Sequence, residues 1–272
     1  MAIPDQRPDF VHSLAKGLEI LSSFSEGQLM GNQELVDATG LPKATVSRLT
    51  STLVDLGYLR VDPGSRKLLM GTRLIGMGVS VQRQIGLQRV ARPFMEALSK
   101  EARMTVSLAT RDRLGMLVLE VMHPPTDTRV VINMDAGTVL PLPTTSLGLA
   151  YLVAAPIRER EQLLERLQAR HGQDWPALRR DIEQATQAYR RQGFVTTRRS
   201  WGRAVSGVGV PLMLESSRTL YAFHCAGPAS SLSPVELREE LGPRLLTMVR
   251  EVEAAWRTRP RRRLQPPEIH KP

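Results

Sequence analysis

Between residues 32 and 57 the chain reads NQELVDATGLPKATVSRLTSTLVDLG, and the break at Gly40-Leu41-Pro42 leaves few ways to fold it. Glycine suits the left-handed turn that closes a helix, and proline is tolerated in a first helical turn. Two short helices meeting at a sharp angle are therefore predicted, with Asn32 as the cap of the first. In the second, Val46, Leu49, Leu53 and Leu56 repeat at helical spacing and form a buried stripe, and Gly57 ends it. Upstream, HSLAKGLEILSSF (12–24) places Leu14, Leu18, Leu21 and Phe24 on one helical face, with Ser13 as its cap. Downstream, YLRVDPGSRKLLMG has apolar arms around Asp62-Pro63-Gly64-Ser65, a hairpin signal. Helix, short helix, tight turn, helix, hairpin is the order of a winged helix-turn-helix.

The polar face of residues 42–56 carries the functional question. Lys43, Thr45, Ser47 and Arg48 combine two long cations with two short hydroxyls in its first two turns, while Ser51 and Thr52 lie peripherally. Arginine and lysine pair with guanine acceptors, and hydroxyls suit phosphates or bases. An isolated helix of this kind is more often an ordinary solvated one; the turn before it and the basic hairpin after it, with Arg66 and Lys67, favour DNA reading. Charge is distributed accordingly. The formal net charge of +10 is concentrated in two places. Residues 41–73 carry six basic side chains against two acidic, and the last sixteen carry six against one, whereas residues 1–40 are net acidic.

The remainder is a mixed domain. Strands are predicted at 104–110, 115–122, 128–134, 194–197, 205–214 and 219–226. A helix SLGLAYLVAA follows the loop DAGTVLPLPTTS, charged helices lie near 157–170 and 176–192, and a terminal helix runs from Pro234 to Trp256, capped by Ser233. Short connections between neighbouring strands suggest an antiparallel sheet with helices packed on it. The single cysteine, Cys225, excludes an intramolecular disulfide framework and a cysteine-rich zinc module. No apolar run reaches the ~18 residues of a membrane span, and no signal peptide is visible. The reading is a cytoplasmic protein with no membrane partner.

SLAKGLEIL, followed by QELVDATGLPKATVSRLTSTLVDLGYLRVDPGSRKLLMGTRLIGMG, resembles the N-terminal half of the IclR-type bacterial transcriptional regulators, and the resemblance extends more weakly over residues 12–256. It implies an α+β protein in which a winged helix-turn-helix is joined by a linker helix to a GAF-like antiparallel-sheet effector domain. The corresponding boundaries are 10–71, 72–86 and 87–257, followed by a basic tail at 258–272 whose composition predicts disorder. It implies binding of a pseudo-palindromic double-stranded DNA operator by a homodimer or dimer of dimers. On this pattern Lys43, Thr45, Ser47 and Arg48 match recognition positions, and Arg66 and Lys67 match wing positions.

GTVLPLPTTSLGLA is similar to the family's effector-domain signature, with Pro143 and Leu149 where His and Lys are frequent. Thr144, Thr145 and Ser146 would present hydroxyls and free amides to a small organic acid, an aromatic one included; plain helix capping is the competing reading. Trp201, as a pocket wall, and Arg203, in a segment where the family often has acidic residues, are candidate effector-binding residues. So is His224, which stands where a small polar residue is usual; a lone strand histidine is more often structural. Alternation places Ala222, His224 and Ala226 on one face of their strand and Phe223 and Cys225 on the other. His224 and Cys225 therefore make no nucleophile–base pair, and no catalytic residue, metal ligand or cofactor is implied. The rival is a DNA-binding architectural protein, or a regulator without a small-molecule effector.

Overall fold

The computed structural model describes residues 9–24, 27–125, 134–200 and 204–259, without the side chains of Arg83 and Arg199. The chain divides into two compact units between Ile85 and Gly86.

In the first unit, α1 (His12–Leu21), α2 (Asn32–Thr39) and α3 (Lys43–Asp55) precede a hairpin of β1 (Leu59–Val61) and β2 (Leu68–Met70), and α4 (Arg73–Ile85) follows. Ile20, Leu35, Val46 and Leu59 are almost fully buried and form the centre of a small core. Gly40 takes the left-handed conformation at φ 68° and Pro42 sits at the start of α3. Two capping expectations fail. Ser13 lies inside α1, whose N-cap is Val11, and Asn32 lies inside α2, where the Glu34 carboxylate accepts from the Gly31 N–H instead. With Asn32 one residue past the cap, Glu34 at the third helical position supplies the side-chain bond at this terminus. Met30 pairs with Leu68, adding a short third element to the hairpin.

In the second unit, α5 (Leu87–Ala102) leads into β3 (Thr105–Asp112) and β4 (Gly115–Met122). The predicted strand at 128–134 lies, except for Met134, outside the described residues. Then come β5 (Val139–Pro141), α6 (Ser146–Ala154), α7 (Ile157–His171), α8 (Trp175–Gln192), β6 (Val195–Ser200), β7 (Val205–Leu214) and β8 (Thr219–Pro228). A π-helical turn, Glu236–Leu241, passes into α9 (Gly242–Thr258). Ser233 and Glu236 cap its start reciprocally, at 3.2 and 2.7 Å. The six strands form one antiparallel sheet in the order β5-β4-β3-β8-β7-β6. β5 was not predicted as a strand: the loop reading of 135–146 misses its three-residue pairing with Gly115–Leu117.

Helix α6 is apolar all round and lies on the sheet face that presents Ala222 and Ala226. Two glycines permit this. A Cβ at Gly148 would collide with the Leu142 carbonyl, and one at Gly209 with the Ser146 carbonyl. Gly209→Val is therefore expected to destabilise the unit by about 3 kcal/mol or more, since backbone cannot step aside as a side chain can; chemical denaturation measures it. At the far end of α6 the Tyr151 hydroxyl donates to Glu159 at 2.6 Å, and Arg111 donates to the same carboxylate at 3.0 Å.

Candidate nucleic-acid interface and effector site

At 3.6 residues per turn, Val46, Leu49, Thr50 and Leu53 turn inward from α3, whereas Leu56, expected in the buried stripe, is exposed at the C-cap. Ala44, Arg48, Ser51 and Asp55 form the exposed row opposite. Lys43 and Ser47 are exposed on one flank. Thr45 is half-buried on the other flank, and Ser51, read from sequence as peripheral, shares the outward row with Arg48. Arg48 makes no side-chain hydrogen bond or ion pair among the described residues, so its guanidinium is available. Thr45, Arg48, Leu49 and Thr52 also line a groove of about 230 Å³ with Ser13 and Lys16 of α1; nothing in the sequence spacing points to that pairing.

The wing is tightly made. The Asp62 carboxylate accepts from the Ser65 N–H and hydroxyl at 2.8 and 2.7 Å, which holds its pKa below the usual range. Arg66 sits at the tip with φ 58° and is exposed. Lys67, matched to a wing position by the resemblance, is paired: its ammonium lies 2.8 Å from Glu34 on α2. The pair is exposed and contributes little to stability, but a phosphate at Lys67 would have to compete with Glu34.

In the second unit, the N-terminus of α6 meets the sheet in a buried polar cluster. Thr145 caps the helix, accepting from the Gly148 N–H at 3.2 Å while donating to the Pro141 carbonyl at 2.8 Å. One residue on, Ser146 Oγ and His224 Nδ1 share a hydrogen bond of 3.2 Å. Ser107 of β3 and Gly209 of β7 flank His224 in register across the sheet. Ser107 Oγ and His224 Nε2 are both buried without a partner among the described residues. Native proteins leave few such atoms unpaired. Burial lowers the His224 pKa from 6.5 to about 4, so at neutral pH the imidazole offers hydrogen bonding and not charge.

Thr144 faces outward instead, into an open cleft of about 1050 Å³. This cleft lies along the edge strand β6, and its lining includes Pro143, Leu149, Asp181 and three arginines, Arg191, Arg198 and Arg238. None of the three pairs with a carboxylate among the described residues. Trp201 and Arg203 lie outside the described residues. Cys225 is fully buried and its thiol is pushed up to about 12 by that burial, which leaves it inert as a nucleophile.

A winged helix-turn-helix followed by a larger mixed helix–sheet unit is the architecture of a class of DNA-binding transcriptional regulators. Residues 13–63 match the family described as the IclR helix-turn-helix domain, and residues 79–254 match that of the bacterial transcriptional regulator IclR C-terminal domain. The chain belongs to the IclR family of bacterial transcriptional regulators. It is 54% identical over 271 residues to the HTH-type transcriptional regulator TsaQ1/TsaQ2 of Comamonas testosteroni, covering 98% of each chain. It is 26% identical over 252 residues to the Pca regulon regulatory protein of Pseudomonas putida, covering 90% of this chain and 84% of that one. Among solved structures, an IclR family regulator from Brucella abortus superposes with a TM-score of 0.84 at 36% identity, covering 94% of this chain and 96% of that one. An IclR homologue from Microbacterium hydrocarbonoxydans, complexed with 4-hydroxybenzoate, shares the fold at a TM-score of 0.63 and 24% identity, covering 88% and 99%.

Proposed function

We propose that the chain binds a pseudo-palindromic operator as a homodimer or dimer of dimers in the cytoplasm, and that a small organic acid bound in the second unit alters its affinity for DNA. Lys43, Ser47 and Arg48 of α3 would reach the major groove, with Thr45 at its flank and Arg66 and Lys67 of the wing on the backbone. The observation that carries the effector half is the pair of unpartnered polar atoms at the start of α6. A ligand oxygen at that seat would satisfy His224 Nε2 and Ser107 Oγ together, and Ser146 belongs to the same cluster. Because the imidazole is neutral, the N-terminus of α6 would balance an anionic charge. Thr145 is already committed to capping and would act only by holding Ser146 in place. The relative crystallised with 4-hydroxybenzoate makes that acid a natural first probe. A thermal-shift screen of small carboxylic acids, 4-hydroxybenzoate included, is expected to yield a stabilising hit that His224→Ala removes. A screen with no hit favours the rival, a regulator without an effector.

Oligomerisation has its own observation. Val11, Leu14 and Leu18 form an exposed apolar stripe on α1, and Ile75, Met77, Val79 and Val81 are exposed on α4. Apolar side chains so placed on short helices fit a contact between two copies. Leu14→Glu with Leu18→Glu is expected to give monomers in light scattering and to weaken operator binding by well over tenfold, since one half-site replaces two.

A further inference from the structure

We infer that the groove between α1 and α3 seats a backbone phosphate of bound DNA, clamped by Lys16 of the first helix beside Arg48 of the recognition helix. The inference rests on the reading of α3 as the recognition helix and adds α1 to the interface.

Four features converge there. Lys16 and Arg48 line one groove of about 230 Å³, and no carboxylate lines it with them. Neither cation makes an ion pair among the described residues. Ser13 and Thr45 bring hydroxyls with no side-chain hydrogen bond among those residues, and Thr52 donates its own to the Arg48 carbonyl, leaving its oxygen able to accept only. Finally, Ser13 and Thr45 lie in the first turns of α1 and α3, and neither helix has a side-chain cap at its N-terminus. Two uncapped helix starts, two cations and donor hydroxyls around a small opening are the chemistry of phosphate recognition. Leu49 forms an apolar floor, so the anion would be held at the rim beside the bases that Arg48 reads. Lys43 and Ser47, on the opposite flank of α3, do not line this groove.

Phosphate contacts add affinity without sequence preference and make it salt-dependent. The probe is a duplex selected by the wild-type protein from a randomised library. Lys16→Gln is expected to lower the slope of log affinity against log salt by about 0.9 for each protomer engaged, with similar loss on a random duplex. Lys16→Arg should retain the slope. Ser13→Asp provides the second variant: an acid in the first turn of α1 favours the helix, so the fold should gain or hold while DNA binding falls further than in Lys16→Gln. A slope unchanged in Lys16→Gln, together with unimpaired binding by Ser13→Asp, overturns the clamp. If Arg48→Ala loses selectivity in the same assay, only the groove is at fault. If the selection enriches no sequence, or Arg48→Ala binds as wild type, the recognition-helix reading fails and the clamp with it.

Discussion

Arg48→Ala is expected to remove much of the preference for a selected operator over random DNA. A bidentate arginine–guanine pair contributes about 1–3 kcal/mol, and a two-fold complex loses it at both half-sites, about 2–6 kcal/mol in all. Specific and non-specific binding differ by about 4–10 kcal/mol, so one side chain accounts for much of the difference. The fold should be unaffected, because Arg48 is exposed and makes no side-chain hydrogen bond among the described residues; surface changes of this kind usually stay within about 0.5 kcal/mol. Titration of wild type and variant on selected and random duplexes, with an unfolding curve for each, separates the two effects. Retained selectivity would remove Arg48 from the base-reading set.

The second large effect concerns His224 and acid. In the folded chain burial depresses its pKa to about 4, against 6.5 without that environment. As pH falls through 6.5 the unfolded chain takes up a proton that the folded chain refuses until about pH 4. Stability is therefore fully present above about pH 6.5 and is lost progressively between there and pH 4, by about 3 kcal/mol. His224→Asn keeps a polar group near Ser146 but does not titrate. Urea unfolding at pH 7 and pH 4.5 should show a smaller acid loss in the variant, even though it starts less stable because of the lost ring volume. Equal losses would mean that His224 is more hydrated than its burial indicates. An anionic ligand at the seat would oppose this loss, because negative charge favours the imidazolium.

The helix-turn-helix was legible because its signals are local. Gly40, Pro42 and the stripe at Val46, Leu49 and Leu53 specify α2, the turn and α3 within two dozen residues, and the Asp62–Ser65 turn specifies the wing. The caps of α1 and α2 were misread because Ser13 and Asn32 sit one or two residues inside their helices, where Glu34 and plain backbone serve instead. The pairing of Lys67 was not legible because its partner, Glu34, is 33 residues away in sequence. β5 was missed because three residues ending in proline show no period of their own and gain strand form only by pairing with β4.

The second unit shows the same division more sharply. The residues of the α6 start could be listed from its loop, but their roles could not. Thr144 opens on the cleft, Thr145 is committed to the cap, and Ser146 turns in to His224, a partner 78 residues distant. The orphan Nε2 and the unpartnered Ser107 are visible only when β3 and β8 lie side by side.

By itself the sequence determined the family, the two-part architecture and the polar face of α3, since helix period, turn residues and local charge act over a few neighbouring positions. Which cations are free, which hydroxyls are already bonded, and that Lys16 of α1 stands beside Arg48 were decided only by the tertiary structure. Those properties depend on desolvation and on distances between groups remote in sequence, which chain packing alone sets.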